Sequence, residues 1–444
     1  MYRFTTSLGQ RLYERIRNKP IVDFHNHLSV KELSEDKRFA DLTELWIASD
    51  PYKHRAMRIH GVAERLITGD AAPYEKFEAW CAVFPQLTGN PLTVWSQTEL
   101  KVFFGMKEQI CPANAKTIWN KANELLAQPG YTARALMAKF PVAYSAPCAA
   151  LQDDIGPYAL IPNAAPSLRA DTIMNDPASA ARFLEETYGK LHSFAAFADA
   201  MEKRLLDFHK AGCRTFDCSL DAGWCHMAED GHAEQRYAAL MAGTLDEAGK
   251  KAIACDILRL VAGLCRKMGW FLQLHLGAQR FTSSRLRRVA GPAGGFAGIG
   301  VTPVDGVISL LDELEQLEAL PRTVLFSMEM SSWDRLAVLT GSFNREGYRG
   351  YVQLGPAWWW CDHTGGMIAA LESILHFGSL STFIGMTTDS RSILSFSRHD
   401  HFRRVLCNWL GEKVQSGELE EQEEALGLLA EKIACDNALE YLDL

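Results

Sequence analysis

The sequence predicts a distorted (β/α)8 barrel of the TIM type, on two observations. Eight short β-rich runs punctuate the 444 residues, and most are continuously apolar, as parallel strands buried on both faces are. Longer amphipathic stretches separate most of the runs, and repeated βα units build a parallel sheet that closes on itself at eight. A doubly wound open sheet is the competing arrangement of the same units.

In chain order the candidate strands are 21–28 (IVDFHNHL), 140–146 (FPVAYSA), 158–165 (YALIPNAA) and 213–220 (CRTFDCSL), followed by 270–277 (WFLQLHLG), 322–329 (RTVLFSME), 350–358 (GYVQLGPAW) and 382–390 (TFIGMTTDS). Segments 197–212 and 255–269 between them are amphipathic, and each ends in a glycine suited to a helix C′ position. More than a hundred residues separate the first two runs, far beyond what a βα connection needs. Stretches such as KFEAWCAVFPQL and AKTIWNKANELLAQPG give that region a helical pattern. The expected organisation is a catalytic barrel of 1–32 and 136–444, with a helical insertion at 33–135 emerging on the C-terminal face. Near the C-terminus, Leu426, Leu429 and Ile433 share one face of a packing helix.

Composition narrows the function. With 48% hydrophobic and 23% charged residues the chain reads as globular, and 46 basic against 54 acidic residues give a net charge of −8. A mildly acidic chain without a basic block is a poor partner for nucleic acid or an anionic membrane. The first twenty residues lack the apolar core of a secretory signal, and no stretch approaches the ~18 apolar residues of a membrane span. A cytoplasmic protein is expected, with a homo-oligomer as the usual state for an enzyme of this size. The eleven cysteines contain no C-x-x-C pair and read as reduced, buried small hydrophobes. The glycines of 291–300 do not open a helix after a strand, so they read as a loop rather than a dinucleotide-binding turn.

Two short patterns carry chemistry. His25 and His27 lie one residue apart at the end of the first strand, so both imidazoles point to one face. Such a pair chelates a divalent ion such as zinc or manganese, or else simply hydrogen-bonds at a strand end. Asp389 and Arg391 share a face at the end of the last run, either as a surface ion pair or as site residues. In a closed barrel the first and eighth strands are neighbours. Asp389 then completes a two-histidine, one-carboxylate site with a position left open for substrate.

The stretches DFHNHLSVKEL, FADLTELWIASDPYKHRAMRIHGVAERLITGD, QLHLGAQR, VQLGPAWWWCDHTGGM and GMTTDSRSILSFSRHDHFRRVLCN resemble the uronate isomerase (glucuronate isomerase) family of the amidohydrolase superfamily. The resemblance extends over almost the whole chain. It implies isomerisation of D-glucuronate to D-fructuronate and of D-galacturonate to D-tagaturonate, with one divalent metal, zinc or manganese. By the same resemblance His25, His27 and Asp389 are metal ligands, and Tyr52 and Arg391 surround the isomerised carbons. Arg169, His275, Trp358 and Trp359 then face the substrate. This chain departs from the family pattern at three places. Pro51 replaces a histidine, Asp217-Cys218 an Asp-His pair, and Ser145-Ala146-Pro147-Cys148 a Thr-Thr-Asp-Asp-Pro segment.

An aldose–ketose isomerase moves a proton from C2 to C1 through a cis-enediol. Asp389 is the expected base, Arg391 stabilises the enediolate, and Arg169 or another arginine clamps the C6 carboxylate. Tyr52 acts as a base only if neighbouring cations lower its pKa from about 10, and Lys53, Arg55 and the metal are the candidates. His275 is open between a metal ligand and a donor to a substrate hydroxyl. Three consecutive tryptophans, 358–360, cannot share a face, so at least one belongs to the core. Arg398, His399, Arg403 and Arg404 either reach the substrate carboxylate or form a charged helix face. His192, His209 and His376 read as surface residues. The competing function is a metal-dependent hydrolase of a sugar-acid ester, lactone or amide, which would need neither Tyr52 nor Arg391. A binding protein with a decayed site is disfavoured by the survival of His25, His27 and Asp389.

Overall fold

Six consecutive buried residues, Ile21–Asn26, form β1 of the computed structural model, which describes residues 2–291 and 295–444. β2 (Val142–Ala149), β3 (Ser167–Arg169), β4 (Thr215–Leu220), β5 (Phe271–Leu276), β6 (Thr323–Ser327) and β7 (Val352–Leu354) follow, each hydrogen-bonded in parallel to the one before. These seven strands curl into a TIM-type (β/α)8 wall. Helices such as Phe194–Lys210, Glu247–Lys267 and Val304–Gln316 connect and cover them. β4 and β5 pair over their full length, so Cys218 lies opposite Leu274 and Ser219 opposite His275.

The eighth position is filled by an irregular segment. Residues 383–390 form no regular ladder, yet Asp389 N–H donates to the His25 carbonyl at 3.1 Å and His27 N–H to the Ser390 carbonyl at 2.9 Å. Side chains take over the remaining pairing. The buried Asp23 carboxylate accepts from Thr388 N–H at 2.7 Å and from both Thr387 and Thr388 hydroxyls at 2.8 Å, and Thr387 Oγ1 accepts from His25 N–H at 2.9 Å. Gly385 begins this closure with a φ of +83°, where an added Cβ would meet the Ile433 carbonyl oxygen at 2.1 Å. Only glycine fits that approach.

A second departure concerns the expected strand 158–165. Gly156–Leu160 is a 3-10 helix, Pro162 lacks an N–H donor, and Asn163 adopts a φ of +58°. The pairing is reduced to a single bridge, with Ala165 N–H donating to the Ser145 carbonyl at 3.0 Å, and the true strand is β3.

Between β1 and β2 the described chain contains helices and no strand of the sheet. Their apolar side chains gather in a second buried cluster in which Trp46, Phe77, Trp80 and Phe103 are fully enclosed, and which meets the barrel at Ile393, Leu394 and Phe396. Helix Pro51–Ile59 opens this region's contribution to the mouth. Asp50 caps it and Pro51 occupies its first turn, where a missing N–H leaves no bond unmade. At the C-terminus, helix Glu423–Glu431 buries Leu426 and the following turn buries Ile433, while Leu429 is half-buried.

Part of the glycine-rich segment 291–300, residues 292–294, lies outside the described residues. The rest is not wholly a loop, because Gly298–Ile299 pairs antiparallel with Ala278–Gln279. Among the described residues no helix is long and apolar enough to cross a membrane. All eleven cysteines are free thiols, but Cys225 is exposed and Cys111 and Cys148 are half-buried, so the cysteines are not uniformly core residues.

Candidate active site

All nine side chains singled out in the sequence line one cavity of about 320 Å³ at the C-terminal end of the strands. β1 supplies His25 and the residues after it His27. The closing segment brings Asp389 beside them, with its Oδ1 3.3 Å from His25 Nε2 and 3.1 Å from His27 Nε2. Asp389 adopts a φ of +46°, a conformation uncommon for residues other than glycine, and Trp359, which lines the same cavity, has a φ of +50°. Sparsely populated backbone at two cavity residues is the kind of strain that functional sites retain.

Electrostatics around the two histidines favour positive charge. Burial alone would raise the Asp389 carboxyl, yet its bonds from His25 and His27 hold it well below the usual carboxylate range. Burial would also depress His27, but the charge of Cys148 and the Asp389 bond push it up to about 9. His25 is raised in the same way, and His25 and His27 together lower the Cys148 thiol well below its ordinary value against the effect of burial. A divalent cation answers the same field. Its fit is supported by the ligand atoms of His25, His27 and Cys148 lying within 4.8 Å of one another with the Asp389 carboxylate against both imidazoles, and by the buried His275 Nε2 and Asp217 Oδ2, which have no hydrogen-bond partner in the same cavity.

His275, at the end of β5, lies between a tilted His25 ring (centroids 4.5 Å apart) and the stacked Trp358 ring (4.6 Å). Burial and the neighbouring His25 keep it neutral, well below the ordinary histidine value. Trp358 is buried, Trp359 lines the cavity, and Trp360 packs against the Tyr52 ring at 5.1 Å, so the three tryptophans divide between wall and core.

Tyr52 corrects an expectation. Burial raises its pKa well above 10, and Asp389, Asp362 and Asp50 add to the effect, while only Arg398 opposes it. The cations proposed from sequence are turned elsewhere. Lys53 is buried against Asp50, and Arg55 lies over the Trp360 ring at 5.2 Å. With only these side chains around it Tyr52 is held as a phenol, its hydroxyl buried and without a hydrogen-bond partner.

The arginines differ in state. Arg169 Nη2 contacts Asp171 at 3.1 Å and its Nε contacts Asp217 at 3.6 Å. Arg391 is exposed and has no carboxylate partner among the described residues. Arg280, which sequence reasoning missed, donates to Asp221 at 3.0 Å and Ser219 at 2.9 Å and faces the same cavity. Asp217 entered the sequence reading only as the matching half of a family Asp-His pair, and Cys148 only as one of the core thiols and as part of a segment that departs from the family pattern. Neither carries a spacing signal, and their proximity to His25 arises only when β1, β2 and β4 are aligned.

The run after strand eight is neither of the expected alternatives. Arg398, His399 and Arg403 are buried: Arg398 lies over the Tyr52 ring at 5.1 Å, His399 Nε2 is 3.6 Å from Asp23, and Arg403 donates to the Pro20 carbonyl at 2.9 Å. Arg404 binds Asp400 at 2.8 Å. His192 and His376 are exposed, but His209 is half-buried and accepts from the Trp270 indole at 3.0 Å.

Asp362, behind Tyr52, supplies a pH test. It is buried with both oxygens lacking hydrogen-bond partners, and Arg398 Nη1 stands 3.6 Å away. Burial, reinforced by Asp389 and opposed by Arg398, pushes its carboxyl up to about 7. Between pH ~4 and ~7 the folded chain then holds a proton that the unfolded chain has released, so this group costs stability as pH rises. Relative to the parent, Asp362→Asn is expected to gain stability progressively over that window, by up to roughly 4 kcal/mol. Urea unfolding of both proteins from pH 4 to 8 reads the difference. A difference independent of pH would show that Asp362 titrates normally.

A model of the glucuronate isomerase family matches residues 1–442. The chain is 35% identical over 455 residues to the uronate isomerase of Caldanaerobacter subterraneus subsp. tengcongensis, covering 99% of this chain and 97% of the relative. The crystal structure of uronate isomerase from Thermotoga maritima superposes with a TM-score of 0.91 at 26% identity, covering 99% and 98% of the two chains. That of glucuronate isomerase from Caulobacter crescentus superposes with a TM-score of 0.90 at 23% identity, covering 98% and 94%, and shares the fold.

Proposed function

Because the chain belongs to the glucuronate isomerase family, matched over residues 1–442, we infer that it is a uronate isomerase, an aldose–ketose isomerase. We propose D-glucuronate to D-fructuronate and D-galacturonate to D-tagaturonate as its reactions. The observation that carries this reading is one cavity lined by His25, His27 and Asp389 together with Tyr52 and Arg391.

His25, His27 and Asp389 would hold one divalent ion, zinc in the first instance and manganese as the alternative. Bound there, it would supply Lewis-acid polarisation of the substrate oxygens. Asp389, kept ionised at neutral pH by its histidine bonds, takes the C2 proton and returns it at C1. Tyr52 donates its phenolic hydrogen to a sugar oxygen. Arg391, uncommitted to a protein carboxylate, stabilises the negative charge of the enediolate as it develops. Arg169 and Arg280, each already oriented by an aspartate, receive the C6 carboxylate in fork geometry. Trp358 and Trp359 form the apolar wall, with His275 held between Trp358 and His25 and able to reach a hydroxyl. The helical segment 33–135 is read as an insertion whose contribution to the chemistry is Tyr52.

The deciding experiment supplies zinc or manganese and each hexuronate in deuterated water and follows proton NMR. Isomerisation is expected with deuterium entering at the carbon next to the carbonyl. If neither hexuronate reacts while a sugar-acid lactone or ester is hydrolysed, the site is a hydrolase and this reading is wrong.

A further inference from the structure

Cys148 is the half-buried penultimate residue of β2, beside the strand that carries His25. Its Sγ lies 3.6 Å from His25 Nδ1 and 3.6 Å from Asp217 Oδ1. One ligand atom from each of His25, His27 and Cys148 falls within 4.8 Å of the others. Asp389 meets the other nitrogen of the His25 ring, Nε2, at 3.3 Å, so His25 stands between the carboxylate and the thiol. A structural thiol would instead be packed among apolar side chains, as Cys213, Cys265 and Cys407 are. The neighbourhood of Cys148 is polar, and it includes the buried Asp217 Oδ2 and His275 Nε2, neither of which has a hydrogen-bond partner, with Arg169 Nε 3.6 Å from Asp217 Oδ2.

We propose that Cys148 is a ligand of the divalent ion, so that this chain's metal is bound through sulfur as well as through His25 and His27. The inference rests on the metal site of the function proposed above. It adds a consequence that the reaction alone does not require. A thiolate is a soft donor, so the site discriminates for zinc and cobalt against manganese and magnesium more strongly than nitrogen and oxygen ligands alone would. Cys218, which is buried and packed against Met174, takes no part.

Cobalt(II) reads the bond directly. The full chain loaded with one cobalt is expected to show a near-ultraviolet sulfur-to-cobalt charge-transfer band. In Cys148→Ser that band is expected to disappear while the visible d–d bands and the cobalt stoichiometry remain. The second readout is alkylation followed by mass spectrometry. Zinc should slow modification of Cys148 about tenfold or more and leave the exposed Cys225 unaffected, which makes Cys225 the internal control. A wild-type protein that binds one cobalt without the band, or whose Cys148 is not protected by zinc, overturns the inference and leaves the isomerase reading standing. Failure to bind cobalt or zinc at all removes both. If Cys148→Ser does not fold, the wild-type band and the zinc protection still decide the question.

Discussion

Asp389→Asn is expected to lower kcat/KM on either hexuronate by about 10³-fold, within the range that a positioned general base contributes. The substitution isolates charge from shape. Asp389 sits at a φ of +46°, a region that asparagine tolerates as well as aspartate, so the backbone of the closing segment has no reason to move. What changes is the oxygen that contacts His25 and His27 at 3.3 and 3.1 Å, which loses its negative charge. The amide can neither accept the C2 proton nor bind a divalent ion as a carboxylate does. Metal content should therefore fall together with kcat, and circular dichroism should show the native fold retained. A variant with full activity would remove Asp389 from both roles. A variant that keeps its metal and loses only kcat would assign it as base and not ligand.

The second large effect is on stability. Asp50→Ala is expected to destabilise the protein by about 3–5 kcal/mol, the usual result of stripping one partner from a buried ion pair. Lys53 is 1% exposed and binds Asp50 through its ammonium, with Glu99 farther off at 3.9 Å and the Trp46 and Trp80 rings around it. Without Asp50 that charge is left largely uncompensated. The same carboxylate accepts from the backbone N–H groups of Tyr52 at 2.9 Å and Lys53 at 3.1 Å, capping the helix that presents Tyr52 to the cavity. Asp50→Ala should thus also lower kcat through the displaced phenol. Asp50→Asn, which keeps the cap, should lose stability but less activity. Adding Lys53→Met to Asp50→Asn should recover part of the loss, because an apolar replacement of both partners leaves no buried charge. Urea unfolding at fixed zinc concentration checks the series. A change under about 1 kcal/mol would show that Lys53 finds another partner.

The parts of the fold that were legible share a physical cause. β1, β4, β5 and β6 are almost wholly buried runs with regular backbone, anchored by apolar residues whose pattern is a local property. The run 158–165 has the same composition but contains Pro162 and a left-handed Asn163, so hydrophobicity marked burial there without marking a strand. The run 382–390 was placed correctly beside β1, yet its pairing runs through Asp23, Thr387 and Thr388 side chains, which no strand periodicity reports. The site follows the same division. His25 with His27, and Asp389 with Arg391, announce themselves by spacing. Arg280, Asp217 and Cys148 are single residues with no pattern of their own.

By itself, then, the sequence determined the barrel class, the helical excursion after the first strand, and the His25–His27 and Asp389–Arg391 pairs at the mouth, because periodicity and short spacings are written along the chain, while the family resemblance added Tyr52, Arg169, His275, Trp358 and Trp359. Protonation and partnership were decided only by the tertiary structure. Tyr52 was open as a base only if Lys53, Arg55 or the metal lowered its pKa, and folding sends the two side-chain cations elsewhere and buries the phenol beside three carboxylates and Arg398. Cys148 read as one more core thiol until the alignment of β1 with β2 set it against His25. A pKa or a ligand set depends on distances of a few ångströms between residues far apart in the chain, and those distances exist only once the barrel has closed.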